Sequence, residues 1–267
     1  MNILKAFLFT ALLIAFQVAI SLGFYEFIEP QVKNHISNEN LIHYFGITSR
    51  VPLILSYTTI FLLFFRTNFE WNNGIDNLKK LNLRIIFYIL ILTVGLEFFD
   101  RPFFDFSNII DYLNGIELEP FEYSESSNIS LIYRGITALI LAPIFEELLF
   151  RKLIFTRLLK KYSLNISIIT SSICFALIHL PGYRNLLPTF IFGIISCLIY
   201  YKTKNIYYSI ILHFLTNLSW MLFANYGGVF YEWIIGLKFN FIYWALFGIG
   251  TLMTYFGLKK ITTANTV

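Results

Sequence analysis

The chain has 267 residues, of which 57% are hydrophobic and only 13% charged, and its mean hydropathy is +0.67. Soluble domains carry about 25% charged residues, so this composition excludes a soluble globular protein and indicates an integral membrane protein. The net charge of +4 does not indicate nucleic-acid binding, because the basic residues fall in short segments between apolar runs. Cys174 and Cys197 both lie inside apolar runs, where we expect small buried hydrophobes and no disulfide.

Apolar runs predict an all-α, polytopic bundle of about eight transmembrane helices, since a span needs about 20 apolar residues. The first run is longer than the apolar core of a signal peptide, so we predict a spanning helix there. The predicted bounds are 3–25, 51–66, 83–99, 130–150, 165–180, 186–201, 206–223 and 240–258. We predict one integral membrane domain over 1–267, with 130–223 as its catalytic core.

The distribution of lysine and arginine predicts the orientation of these helices. With the N-terminus inside, fourteen basic residues fall in the inner segments and five in the outer loops. Basic residues concentrate on the cytoplasmic side of membrane proteins. We therefore predict a multi-pass protein of the cell membrane with both termini in the cytoplasm.

The segment 100–129 falls on the outer side in this topology and is rich in Asp and Glu. We predict a solvated linker there. Glu97 and Arg101, four residues apart at the end of the third predicted helix, are expected to pair with each other and to take no part in a functional site.

The run LAPIFEELLFRKLIF, from Leu141 to Phe155, places three ionisable residues inside a predicted span. Each charged group near a bilayer centre costs roughly 2.5 to 3.5 kcal/mol on insertion scales, so such residues need partners or a function. Glu147 and Arg151 are four apart and can pair on one helix face, while Glu146 points about 100° away. This spacing predicts that Glu147 is committed to Arg151 and that only Glu146 turns toward polar residues on other helices.

Two further runs place polar residues on other predicted spans. CFALIHLPG sets Phe175 and His179 four apart, just before Pro181 ends or bends the fifth helix. ILHFLTNLSW sets His213 and Asn217 four apart on the seventh helix, as a pair of donors directed to one point. At 1.5 Å per residue, these side chains and Glu146 are compatible with a meeting point near the middle of the membrane.

The segments EELLFR, FALIH and HFLTN resemble the EExxxR, FxxxH and HxxxN motifs of the CAAX protease and bacteriocin-processing family of intramembrane proteases, also called the type II CAAX prenyl endopeptidase or Abi family. The motifs occur in the family's order on separate predicted helices. The resemblance implies an eight-helix bundle that hydrolyses peptide bonds with a glutamate-activated water and no cofactor. It also implies that Glu146 is the catalytic glutamate, that His179 assists it, and that His213 and Asn217 stabilise the oxyanion.

The chemistry of these residue types agrees with such roles. A carboxylate whose charge is disfavoured by burial is a stronger general base for water, which suits Glu146. An imidazole N–H and an amide N–H are suitable oxyanion donors, which suits His213 and Asn217. Glu147 and Arg151 would support the helix without contacting substrate, and Phe175 shares the face of His179.

Three alternatives stay open at this point. Glu146, His179 and His213 could form a zinc site with two histidines and one glutamate, although no HExxH motif occurs in the sequence and Asn217 is a poor zinc ligand. The same fold could serve as a non-catalytic scaffold or immunity protein. A transporter is the third alternative, since ionisable groups in membranes often mark ion paths, but no repeated pattern of interrupted helices is visible.

The expected partners are the lipid bilayer and a membrane-associated peptide or protein substrate. The sequence does not identify that substrate, and nothing in it indicates that a prenyl group is bound.

Overall fold

The computed structural model describes residues 1–33, 35–65, 78, 80–118 and 128–264, and within them the fold is all helical, with no β-strand. The described helices in chain order are α1 (Ile3–Lys33), α2 (Asn40–Phe64), α3 (Leu83–Phe104), α4 (Phe106–Leu113), α5 (Asn128–Leu159), α6 (Leu164–Leu177), α7 (Tyr183–Thr203), α8 (Ile206–Tyr226), α9 (Gly228–Gly236) and α10 (Phe241–Thr263). The predicted fold class, a helical membrane bundle, is confirmed.

Six of the described helices are long and apolar enough to cross a membrane, namely α1, α2, α5, α7, α8 and α10. The other two predicted spans correspond to α3 and α6. Helix α3 has 22 residues but carries Arg84, Glu97, Asp100 and Arg101, and α6 has only 14 residues. The count of eight spans and the orientation of the termini therefore stay predictions.

The outer faces of the long helices are apolar, as a bilayer requires. Large hydrophobic side chains are exposed along α1, α3 and α10, for example Leu8 at 54%, Phe87 at 59% and Leu252 at 68%. Water would make such surface costly, whereas lipid tails accept it. This is a multi-pass membrane protein.

Helices α3 and α10 form the closest helix pair on one side of the bundle, because glycines let their backbones approach. A Cβ atom added at Gly250 would lie 2.7 Å from Phe98 Cβ and 2.7 Å from the backbone nitrogen of Phe99. Only glycine leaves room for this contact. The close pairing fixes the position of α3, whose second half lines the cavity described below.

The predicted solvated linker at 100–129 is wrong for its first part. Residues up to Phe104 continue α3, and α4 follows from Phe106. Asp105 between them is buried, because it pairs with Arg101 at 2.5 Å and accepts a hydrogen bond from the hydroxyl of Tyr243 at 2.9 Å. Arg101 thus forms its salt bridge with Asp105, while Glu97, the partner expected from spacing, is within electrostatic reach of it. Residues 119–127 of the predicted linker lie outside the described residues.

Candidate active site

The two adjacent glutamates lie in a short α-helical stretch of α5 between two π-helical stretches. The α-helical stretch is Ala142–Glu147, and the π-helical stretches are Ile136–Leu141 and Leu148–Phe155. π-Helical turns are rare in proteins as a whole, and those that occur are frequently found at functional sites. Their wider turns leave backbone groups to be satisfied by neighbours, and the Ser171 hydroxyl of α6 donates to the carbonyl of Phe150 at 2.8 Å.

Glu147 and Arg151 form the ion pair that their spacing predicts. Arg151 Nε lies 3.1 Å from Glu147 Oε2, and both side chains are fully buried. Ser196 of α7 completes the contact, since its hydroxyl donates to Glu147 Oε2 at 2.7 Å and accepts from Arg151 Nε at 3.1 Å. A buried charge pair needs such further hydrogen bonds to offset its desolvation.

Glu147 also contacts His213 on α8, which corrects the expectation that it serves Arg151 alone. His213 Nδ1 lies 3.0 Å from Glu147 Oε1, while His213 Nε2 lies 3.9 Å from Glu146 Oε2. An ionised carboxylate only accepts hydrogen bonds, so Nδ1 is the donor to Glu147. The two nitrogens of one imidazole thus face the two adjacent glutamates, and Glu146 does not stand alone in turning toward a histidine.

Glu146 itself is held in a buried position without a direct hydrogen bond on one oxygen. The residue is 7% exposed, and its Oε2 atom is buried and has no hydrogen-bond partner within the described part of the chain. His213, His179, Glu147 and Arg151 all lie within electrostatic reach of its carboxylate. A buried polar atom without a partner is uncommon and calls for an explanation, of which a catalytic role is one.

His179 lies in the turn after α6 and not on the helix that the sequence predicts to 180. Helix α6 ends at Leu177, ahead of Pro181, because the residue before a proline is disfavoured in helical geometry. His179 Nδ1 lies 3.1 Å from the carbonyl of Phe175 and must donate to it, which leaves Nε2 free to exchange a proton.

Phe175 lies between the two histidines. Its ring centroid is 5.0 Å from that of His179 and 5.8 Å from that of His213, both in edge-on geometry. The guanidinium of Arg151 lies over the same ring, with Cζ 4.1 Å from its centroid. The side chain predicted to support His179 therefore also packs against the ion pair.

Asn217 is directed toward α5 and not toward His213. Its Nδ2 atom donates to the carbonyl of Ala138 at 2.6 Å. That carbonyl lies in the π-helical stretch before Glu146. One N–H of the amide is committed to this bond, and the second N–H remains available as a donor.

A cavity of about 220 Å³ brings three of the four predicted catalytic residues together. His179, His213 and Asn217 line it, and Glu146, which is not among the lining residues, lies 3.9 Å from Nε2 of His213. The rest of the lining is mostly aromatic and polar, and comprises Glu97, Asp100, Phe104, Phe175, Asn185, Pro188, Thr189, Phe192, Thr216 and Trp220. The arrangement is a partly enclosed cleft with convergent polar groups, as expected of a small binding site.

Glu97 and Asp100 are ionisable residues of the cavity that the sequence did not lead us to expect there. They lie three residues apart on α3, on one helix face, and both line the cavity. A second cavity of about 300 Å³ continues toward Arg184 and shares four lining residues with the first, namely Glu97, Phe104, Asn185 and Trp220. Ionisable residues inside an apolar helix are themselves a signal of function, and that signal was available for both residues.

The residues present do not fit the zinc site considered above. Within the described residues, no group of three or more His, Cys, Asp or Glu side chains is arranged to hold a metal ion. His213 Nδ1 contacts Glu147 and His179 Nδ1 contacts a backbone carbonyl, and because metal-bound histidines make the same contacts through their second nitrogen, these two bonds do not distinguish the alternatives.

The site and the bundle together define a polytopic membrane protein with ionisable residues from several helices around a buried cleft. Comparison with protein families agrees, since residues 128–219 match the family model described as type II CAAX prenyl endopeptidase Rce1-like. Residues 128–219 are therefore similar to an Rce1-like domain, and this similarity supports intramembrane protease activity. Comparisons with curated proteins and with solved structures gave no match.

Proposed function

We propose that the protein is a glutamic intramembrane endopeptidase that hydrolyses a peptide bond of a membrane-associated protein or peptide. The observation that carries the proposal is the position of Glu146, whose carboxylate is nine-tenths buried, lacks a hydrogen bond on Oε2 and lies 3.9 Å from Nε2 of His213, a residue that lines the cleft. Such a carboxylate can act as a general base toward water.

In the proposed reaction, Glu146 takes a proton from water, and the water oxygen attacks the carbonyl carbon of the scissile bond. The carbonyl oxygen then carries the negative charge of a tetrahedral intermediate. Its collapse breaks the C–N bond, and the proton held by Glu146 passes to the leaving amine, directly or through Nε2 of His179. Water is the only co-reactant, and no metal takes part.

Asn217 and His213 supply donors to the oxyanion in this scheme. The amide N–H of Asn217 that does not bind Ala138 can donate directly. His213 Nε2 can donate only when both ring nitrogens carry protons, since Nδ1 donates to Glu147. Glu147, paired with Arg151, fixes the orientation of the imidazole in either case.

The proposed topology determines the side of the membrane on which the cleft opens. With both termini in the cytoplasm, Asp100, Phe104 and Asn185 lie at the outer ends of their helices, so the cleft opens on the outer side. We accordingly propose that substrates reach the site from the bilayer or from that side of the cell membrane.

Comparative membrane proteomics of cells that carry wild-type or Glu146→Gln protein tests the proposal. We expect at least one membrane-associated protein to be cleaved only with the wild type, and Glu232→Gln, a change at an exposed glutamate, to behave as wild type. Full cellular function of Glu146→Gln with an unchanged proteome would instead favour a non-catalytic scaffold. Inhibition by a strong chelator with rescue by zinc would favour the metalloprotease alternative.

A further inference from the structure

Tyr57 is a buried tyrosine on α2 that the proposed mechanism does not use. It is 1% exposed, and its ring stacks on Phe145 with centroids 5.4 Å apart and planes at 16°. Phe61 packs beside both rings, 6.4 Å from Tyr57 and 6.3 Å from Phe145. The ring therefore lies in a cluster of aromatic side chains that includes Phe145, the residue directly before Glu146.

The hydroxyl of Tyr57 is a polar group buried in this aromatic cluster. It is buried and has no hydrogen-bond partner within the described part of the chain. Phenylalanine would make the same ring contacts without burying a polar group, and burial of an unpaired hydroxyl is unfavourable. A buried polar atom of this kind calls for an explanation, and a partner met during function is one.

Glu146 provides a complementary partner. Its Oε2 atom is buried and without a hydrogen bond, as the Tyr57 hydroxyl is. A carboxylate accepts hydrogen bonds and a phenol donates one. The carboxylate of Glu146 also lies within electrostatic reach of Tyr57.

Two other donors near Glu146 Oε2 are Arg151 and His213, and neither is hydrogen-bonded to it. Arg151 has two unpaired Nη atoms, but its guanidinium lies over the rings of Phe175 and Phe192, with Cζ 4.1 and 5.7 Å from their centroids. His213 Nε2, at 3.9 Å from Glu146 Oε2, is beyond hydrogen-bond distance. Tyr57 is a further neutral donor, and its ring is fixed against Phe145 of the glutamate-bearing helix.

We propose that Tyr57 is a positioning residue for the general base, donating a hydrogen bond from its hydroxyl to Glu146 when substrate is bound. The bond holds one carboxylate oxygen in place, so that the other oxygen takes the proton from water. The inference rests on the proposed function, since it assigns Tyr57 a role through Glu146.

Tyr57→Phe tests the inference in purified protein in liposomes, with a cleavable reporter peptide and thermal melting in parallel. We expect kcat to fall about tenfold, which corresponds to about 1.4 kcal/mol, with KM unchanged and the melting temperature not lowered. Tyr208→Phe is a matched control, because Tyr208 is 2% exposed and its hydroxyl accepts a hydrogen bond from the backbone nitrogen of Asn82 at 2.8 Å. That variant should melt at a lower temperature and keep its kcat.

A hydroxyl with a purely structural role predicts a different result. Unchanged kcat in Tyr57→Phe, or a change in KM alone, would overturn the inference whatever happens to the melting temperature. Activity retained by Glu146→Gln would overturn the proposed function itself, so the two failures can be told apart in one assay.

Discussion

His213 Nδ1 lies 3.0 Å from Glu147 Oε1 in a buried contact between two helices. The second oxygen of that carboxylate binds Arg151 and Ser196. Glu147 therefore connects an arginine on its own helix with an imidazole on another, and the imidazole turns its second nitrogen toward Glu146. Orientation of a histidine by a carboxylate is a recurrent device of hydrolytic sites.

This contact changes the expected effect of Glu147→Gln. The amide keeps the size of the side chain but loses one charge-assisted hydrogen bond to His213 and the ion pair with Arg151. Such a bond contributes about 1.5 to 3 kcal/mol, so we predict that kcat falls by about 10- to 100-fold and that the melting temperature also falls. Reporter cleavage and thermal melting measure the two effects, and an unaffected kcat would show that Glu147 does not orient His213.

Arg151→Ala should reduce stability more than Glu147→Gln does. It leaves the Glu147 charge fully buried without its cation, and breaking a buried pair in this way costs about 3 to 5 kcal/mol. We predict little folded protein in detergent extracts, measured by size-exclusion chromatography and melting. Lys259→Ala, at an exposed lysine, should match the wild type. A well-folded but inactive Arg151→Ala would indicate that Arg151 acts directly in catalysis.

The sequence predicted the class of the fold and the buried ion pair because both depend on local spacing. Apolar run length identifies a membrane helix, and four-residue spacing pairs Glu147 with Arg151 on one face. The contact of Glu147 with His213 depends on how α8 packs against α5. The spacing of residues within a single apolar segment carries no information about that packing. The same holds for Arg101, whose helix continues past the predicted end and so brings Asp105 within reach.

Other features escaped the sequence analysis for reasons of geometry. The end of α6 at Leu177 moves His179 into a turn, and the π-helical stretches of α5 change the direction of the residues that follow them. Glu97 was assigned to Arg101 by spacing, yet it lines the cavity. The π-helical stretches and the position of Glu97 in the cavity depend on tertiary packing, whereas the end of α6 follows from the nearby Pro181.

Asn217→Ala should reduce the rate more than the affinity. Loss of one oxyanion donor typically costs about 10² to 10³ in kcat, and the variant also loses the bond to Ala138 between α8 and α5. We predict this loss in kcat with a small change in KM, measured with the reporter peptide. Asn225→Ala is the control, since Asn225 donates to Met221 of its own helix at 2.7 Å and should keep its kcat.

The orientation of the bundle can be measured by cysteine labelling in intact cells. Glu117→Cys and Lys161→Cys place thiols at exposed positions, and the native Cys174 and Cys197 are buried. We predict that a membrane-impermeant reagent labels position 117 in intact cells and position 161 only after lysis. The reverse pattern would place the termini and the opening of the cleft on the opposite sides.

Reporter-peptide cleavage by purified Glu146→Gln protein, with thermal melting as a check on folding, tests the central claim most directly. The amide preserves the size of the side chain but cannot take a proton from water, and general-base catalysis contributes about 10² to 10⁴-fold. We predict a loss of that size or greater, at an unchanged melting temperature, whereas Glu147→Gln keeps measurable turnover. Normal cleavage by folded Glu146→Gln, or an inactive but well-folded Glu147→Gln beside it, would contradict the assignment of Glu146 as the general base.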